Sequence, residues 1–205
     1  MFKLINKIFI LLTIFTLALA VPGAMAAAPA EVTKQVIDKA LDILNDPNLA
    51  GPALKNRRFS KVKQLVDQHF DYREMAKRSL GPTWNKISSS QKDEFVRLFA
   101  ELLEASYADK IDRYAKRVRI DYTGQTQDGN YAEVRTVVVR PNDRIPISYR
   151  LLNEAGTWKV YDVSIEGVSL VGNYRTQFGR IISESSYEDL VKRLRTKVSE
   201  NRSGA

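Results

Sequence analysis

The sequence predicts an α+β protein in which a curved antiparallel sheet of about four strands packs against several helices. Three observations point there. Apolar residues recur at helical spacing as far as about Tyr114, alternate with polar ones from about Arg117 to Ile165, and then return to helical spacing. Asp128-Gly129, Pro141-Asn142-Asp143 and Asn153-Glu154-Ala155-Gly156 break the alternating stretch into short runs joined by tight turns, as an antiparallel meander requires. The chain has 205 residues, 44% of them hydrophobic, enough for one domain with a real core.

The elements follow in order. Residues 1–26 read as a cleaved signal peptide: a basic start with Lys3 and Lys7, an apolar run from Ile8 to Val21, then the small-x-small site Ala24-Met25-Ala26. Pro22-Gly23 closes that run too early for a comfortable bilayer span. Residues 27–199 are expected to form one domain, its helical part at about 30–115, its sheet at about 117–165 and its C-terminal helices at about 168–199; 200–205 is expected to be a flexible tail. Val32, Val36, Ile37, Ala40, Leu41 and Leu44 mark a first helix, stopped by Pro47 and Gly51-Pro52. Val62, Leu65, Val66 and His69 mark a second. Asp71 is placed to cap a third, running to Leu80 before Gly81-Pro82. The longest helix follows Ser88-Ser89-Ser90, with Ser90 and Asp93 as its capping pair, and aligns Phe95, Leu98, Phe99, Leu102, Leu103, Ser106, Tyr107, Ile111 and Tyr114 on one face.

Strands are expected at Arg117–Tyr122, Tyr131–Arg140, Ile145–Leu152 and Trp158–Ile165. Val137-Val138-Val139 interrupts the alternation, which places cover on both faces of the sheet there. Gly167 permits a sharp change of direction, Ser169 caps a helix through Phe178 to Ile182, and Ser186 caps a last one that buries Leu190, Val191, Leu194 and Val198. Lys192, Arg193, Arg195 and Lys197 occupy its other side as a solvated basic face.

Composition removes whole classes of chemistry. With no cysteine there is no disulfide, thiol nucleophile, lipoprotein attachment or Cys-ligated metal, and with one histidine a conventional triad has little to build on. The formal charge is +8, falling to +6 once Lys3 and Lys7 leave with the signal peptide. In an exported chain that excess suits anionic lipid or an acidic protein face better than nucleic acid. Neither G-x-S-x-G, G-x-G-x-x-G, a P-loop nor H-E-x-x-H occurs. His69 lacks an evident orienting partner, Glu101 and Glu104 read as a solvated helix face, and Asp162, Glu166 and Arg175 read as an ion pair across a strand–helix corner. No catalytic residue and no metal or other cofactor is expected.

Two stretches are specific enough to resemble a family. Ser89-Ser90-Gln91-Lys92-Asp93-Glu94-Phe95 with Phe99, Leu102-Leu103 and Tyr107 resembles the MlaC family, also called the toluene-tolerance family. So does Trp158-Lys159-Val160-Tyr161-Asp162-Val163, continuing through Ile165-Glu166-Gly167-Val168-Ser169-Leu170-Val171 to Asn173-Tyr174-Arg175 and Phe178. Phe70-Asp71-Tyr72, Met75-Ala76 and Leu80-Gly81 are similar to the family's early helices, while Ser183–Asp189 lacks the glycine expected at that turn. The resemblance covers about Val32 to Leu194. It implies a cone like nuclear transport factor 2 with added helices, and a soluble periplasmic phospholipid carrier. Such a carrier holds phospholipid as cargo and shuttles it between an outer-membrane lipoprotein–porin complex and an inner-membrane ABC transporter, maintaining outer-membrane lipid asymmetry.

Elementary energetics suit that role. Exposing two ordinary acyl chains to water costs on the order of 20–25 kcal/mol at about 0.8 kcal/mol per methylene, so the tails must stay enclosed in transit. A diacyl lipid needs a pocket of roughly 1,000 Å3, the upper end of ordinary ligand cavities. Trp84, Phe99, Leu102, Leu103, Tyr107, Val137, Val139, Tyr149, Leu151, Val160, Val163, Val168 and Phe178 are expected to line it, as apolar positions facing the gap between helices and sheet. Two other readings of the residues stay open: an exported hydrolase on the same cone, and a binding adaptor with a filled interior that recruits an acidic partner.

Overall fold

The structure is a computed structural model that describes residues 28–114 and 118–203, leaving out the side chains of 107–114 and 201–203. The expected signal peptide lies outside the described residues. Helix α1 (Pro29–Asn45) starts on a proline, whose fixed φ and missing N–H suit a first helical turn. Two short 3-10 turns, Pro47–Leu49 and Pro52–Leu54, lead into α2 (Lys55–His69). Buried Arg58 donates from Nη1 to the Leu49 carbonyl at 2.6 Å, tying the start of α2 to the turn before it.

Asp71 caps α3 (Tyr72–Leu80) as expected, its carboxylate accepting from the Glu74 amide at 2.8 Å. The helix ends at Gly81, whose φ of 56° lies in a backbone region that residues with a side chain rarely adopt. A 3-10 stretch (Gly81–Lys86) precedes α4 (Ser89–Tyr114). Here the cap differs from the expected Ser90–Asp93 pair. Ser88 accepts from the Gln91 amide at 3.2 Å while the Gln91 side chain accepts from the Ser88 amide at 2.9 Å, a reciprocal box two residues earlier.

The sheet has five antiparallel strands in sequence order: β1 (Arg119–Asp128), β2 (Tyr131–Val139), β3 (Arg144–Glu154), β4 (Thr157–Ile165) and β5 (Val168–Ser169). Arg117 lies outside the described residues. β1 runs six residues past the expected end at Tyr122, across a bulge at Gly124, and its second half is polar and exposed. Its apolar alternation stops because an edge strand needs backbone partners on one side only. Ala155 and Gly156, and again Glu166 and Gly167, take positive φ in the two-residue turns between β3 and β4 and between β4 and β5. The outer edge of β4 is closed at one end by β5. At the other it is closed by Phe70 and Asp71, the Asp71 amide donating to the Val160 carbonyl at 2.8 Å.

Helix α5 (Leu170–Glu184) is capped by Ser169 and α6 (Tyr187–Ser203) by Ser186, both as expected. α6 continues to Ser203, so the tail expected from Glu200 is largely helix. Two cores result. Between α3, α4, α5 and α6, the rings of Phe95, Phe99, Tyr174 and Phe178 meet with centroids 5.2–6.0 Å apart, mostly edge to face. The other lies on one face of the sheet, where Ala132, Val134, Leu151, Trp158, Val160 and Val163 pack under α1 and Phe70. The first is filled. The second is not.

Candidate functional site

β3 and β4 present Ile147, Tyr149, Val163 and Ile165 on one face because the residues between them point to the other, and Tyr149 pairs with Val163 across the ladder. Opposite stand Phe59, Val62 and Val66, spaced to share one side of α2, with Met75 of α3, Leu103 of α4 and Leu170 at the start of α5. Between these walls lies a cavity of about 270 Å3. Its lining is apolar except for Lys63, Glu104 and the hydroxyls of Tyr72 and Tyr149. Among apolar neighbours Tyr149 is withdrawn from water, which pushes its hydroxyl up to about 12 against a weaker downward pull from Thr136. Tyr72 is likewise driven well above the ordinary phenol range, first by burial and then by the charge of Asp67.

A second void of about 30 Å3 sits beneath α1, walled by Val32, Val36, Ile37, His69, Leu151, Trp158 and Val160. Phe70 and Tyr149 belong to the walls of both spaces. His69 holds its Nδ1 2.8 Å from the Leu65 carbonyl, a local helix contact rather than a catalytic alignment. Asp162, 2% exposed, pairs neither with Glu166 nor with Arg175. Its carboxylate accepts from Ser169 Oγ at 2.6 Å and the Val171 amide at 3.1 Å, with Arg150 at 3.5 Å, and so fixes the start of α5 beside the cavity. Glu101 pairs with Arg97 at 3.1 Å, whereas Glu104 turns toward the cavity mouth.

The expected lining residues divide. Leu103, Tyr149 and Val163 border the main cavity, and Tyr149, Leu151 and Val160 border the smaller void. Trp84, Phe99, Leu102 and Phe178 belong instead to the filled helical core. Val137 and Val139 pair opposite Pro146 and Arg144, on the face of β2 turned away from Val134 and Thr136, and do not border either space. Val168 is 60% exposed in the short β5. The side chain of Tyr107 lies outside the described residues. Phe59, Val62, Val66, Phe70, Tyr72, Met75, Ile147, Ile165 and Leu170 were not anticipated. The stripe Phe59–Val62–Val66, on a helix otherwise rich in charge, is the signal that points to them.

Fold and cavity together define a class: an α+β protein in which an open antiparallel sheet and the helices packed on it border an apolar pocket. The profile of the family described as MlaC protein matches residues 34–196, and the chain belongs to that family. The intermembrane phospholipid transport system binding protein MlaC of Haemophilus influenzae is 26% identical over 126 residues, 59% of this chain. The match likewise spans 59% of that relative's length. A phospholipid-binding protein from Ralstonia solanacearum, solved in complex with a phospholipid, superposes with a TM-score of 0.75 at 26% identity, covering 86% of this chain and 99% of that one.

Proposed function

We propose that this protein is a periplasmic phospholipid carrier that encloses acyl tails between α2 and the β3–β4 face without acting on them chemically. It exchanges lipid with an inner-membrane ABC transporter complex and an outer-membrane lipoprotein–porin complex. The observation that carries the reading is the apolar cavity, roofed by helices, in a fold shared with a protein solved around a phospholipid. Physics supports it as well. Tails held against Val62, Val66, Leu103, Tyr149 and Val163 stay out of water, and release into a membrane trades one apolar surrounding for another.

At about 270 Å3 the cavity is smaller than the roughly 1,000 Å3 that two tails require, so loading widens it. α2 is the element placed to move, because it supplies Phe59, Val62, Lys63 and Val66 to the lining and its tie to α4 there is the partly exposed Lys63–Glu104 pair. Protein purified without detergent is expected to contain about one phospholipid per chain by native mass spectrometry. Lipid-free preparations that also take up nothing from vesicles would refute the reading.

A further inference from the structure

The void of about 30 Å3 beneath α1 is separate from the main cavity, and two aromatic rings make the partition: Phe70 and Tyr149 border both spaces. The polar neighbours of the void are bonded within their own helices. Thr33 donates its hydroxyl to the Pro29 carbonyl at 2.8 Å, and His69 Nδ1 lies 2.8 Å from the Leu65 carbonyl. The rest of its lining, Val32, Val36, Ile37, Leu151, Trp158 and Val160, is apolar. A water held there gains few hydrogen bonds, whereas methylenes restore the dispersion contacts that the lining lacks. Both partition residues are anchored on the sheet. Tyr149 pairs with Val134 and Val163 in the adjacent strands, and Phe70 bridges to Val160 on the edge of β4 while its amide closes α2 on the Val66 carbonyl. Phe70 is therefore the point about which α2 turns, not a part of what swings.

Helix α1 is coupled to α2, because Leu41, Ile43 and Leu44 pack with Val62 and Val66. Its polar tie to the sheet is an exposed bond from the Ala30 amide to Gln125 Oε1 at 3.0 Å. We infer that the space beneath α1 takes the second acyl tail of a two-tailed lipid, which enters past Phe70 and Tyr149 as α1 lifts together with α2. The inference rests on the carrier reading and adds where the second tail goes. β4 offers that tail a continuous apolar track, from Ile165 and Val163 in the cavity to Val160 and Trp158 in the void, crossed only by the two partition rings. One tail is held by the main cavity. A second needs the partition to open, so Phe70 and Tyr149 set how many tails the chain accepts.

The chain's two tryptophans make the test direct. Trp158 borders the void, while Trp84 stands in the filled helical core with Arg73 and Lys92 against its ring. Protein loaded from vesicles of phosphatidylcholine brominated along its tails is separated from them, and its emission is compared with that of protein loaded from the unbrominated lipid. Trp158, read in Trp84→Phe, is expected to lose at least half of its emission, and Trp84, read in Trp158→Phe, to keep most of it. The wild type carries the same comparison if either variant loses its native circular dichroism. Val36→Phe fills the void from α1. With vesicles that also contain lysophosphatidylcholine, it is expected to shift the recovered lipid about fourfold toward the single-tailed form, the equivalent of one methylene denied burial. Bound lipid phosphorus with an unquenched Trp158, or a lipid ratio that Val36→Phe does not move, overturns the second-tail inference and leaves the carrier reading standing. A wild type with no bound lipid phosphorus overturns both.

Discussion

Tyr149 shows how one side chain connects strand pairing, cavity and stability. Its backbone pairs with Val134 on one side and Val163 on the other, and its ring forms part of the wall of both internal spaces. Because burial raises its ionisation from the ordinary phenol value to about 12, the folded protein keeps a proton there that the unfolded chain gives up near pH 10. Its contribution is therefore full below about pH 10 and declines as pH rises toward 12, by up to about 1.4 kcal/mol per pH unit. Tyr149→Phe is expected to reduce that alkaline decline in urea-unfolding curves, leaving the parts contributed by Tyr72, Tyr122, Tyr161, Tyr174 and Tyr187, which burial raises in the same direction. Phe99 and Tyr149 look alike in sequence, each an aromatic on an apolar stripe. The stripe reveals that a side chain faces inward but not whether the space beyond it is filled: Phe99, Leu102 and Phe178 stand in the helical core, while Tyr149 borders the cavity.

At the scale of the elements, periodicity located the six helices and four main strands of the described residues, and missed where polar sequence was held by backbone alone. β1 continues through Thr123–Asp128 because β2 supplies its hydrogen bonds, whatever its side chains. α2 is the harder lesson. Its charged surface hides a narrow apolar seam, Phe59, Val62 and Val66, that faces the cavity. The two cores predict opposite responses to mutation. Leu102→Asp places an unpaired carboxylate among Phe95, Leu98 and Phe99 and is expected to cost about 3–5 kcal/mol, read as a large drop in the urea midpoint. Val66→Trp adds bulk toward empty space and is expected to shift the thermal midpoint by less than about 3 °C, roughly 1 kcal/mol at this chain length, while at least halving the lipid taken up from vesicles.

For the molecule as a whole, the resemblance in Trp158–Phe178 was specific because it describes one corner: the end of β4, the turn at Glu166-Gly167, the Asp162–Ser169 bond and the start of α5. The volume it encloses depends on how the roof sits, which no single residue encodes. Cargo that binds only the folded chain shifts its unfolding equilibrium. Loaded protein is expected to unfold about 5–10 °C above protein stripped of lipid, corresponding to about 2.7 kcal/mol at a hundredfold excess over the dissociation constant, and calorimetry on matched samples measures it. Among the described residues no helix is long and apolar enough to cross a membrane.

The outer side of β1 has a consequence of its own. β4 has its flank closed by Phe70–Asp71 and β5, so among the described residues the sheet ends at β1, with no strand paired on its outer side. Such a border invites another copy to dock and nucleate fibrils. Here it is kinked at Gly124 and furnished with Thr123, Gln125, Thr126, Gln127 and Asp128, so neither a straight template nor a greasy one is on offer. A protein with an oily interior is thereby discouraged from polymerising when crowded.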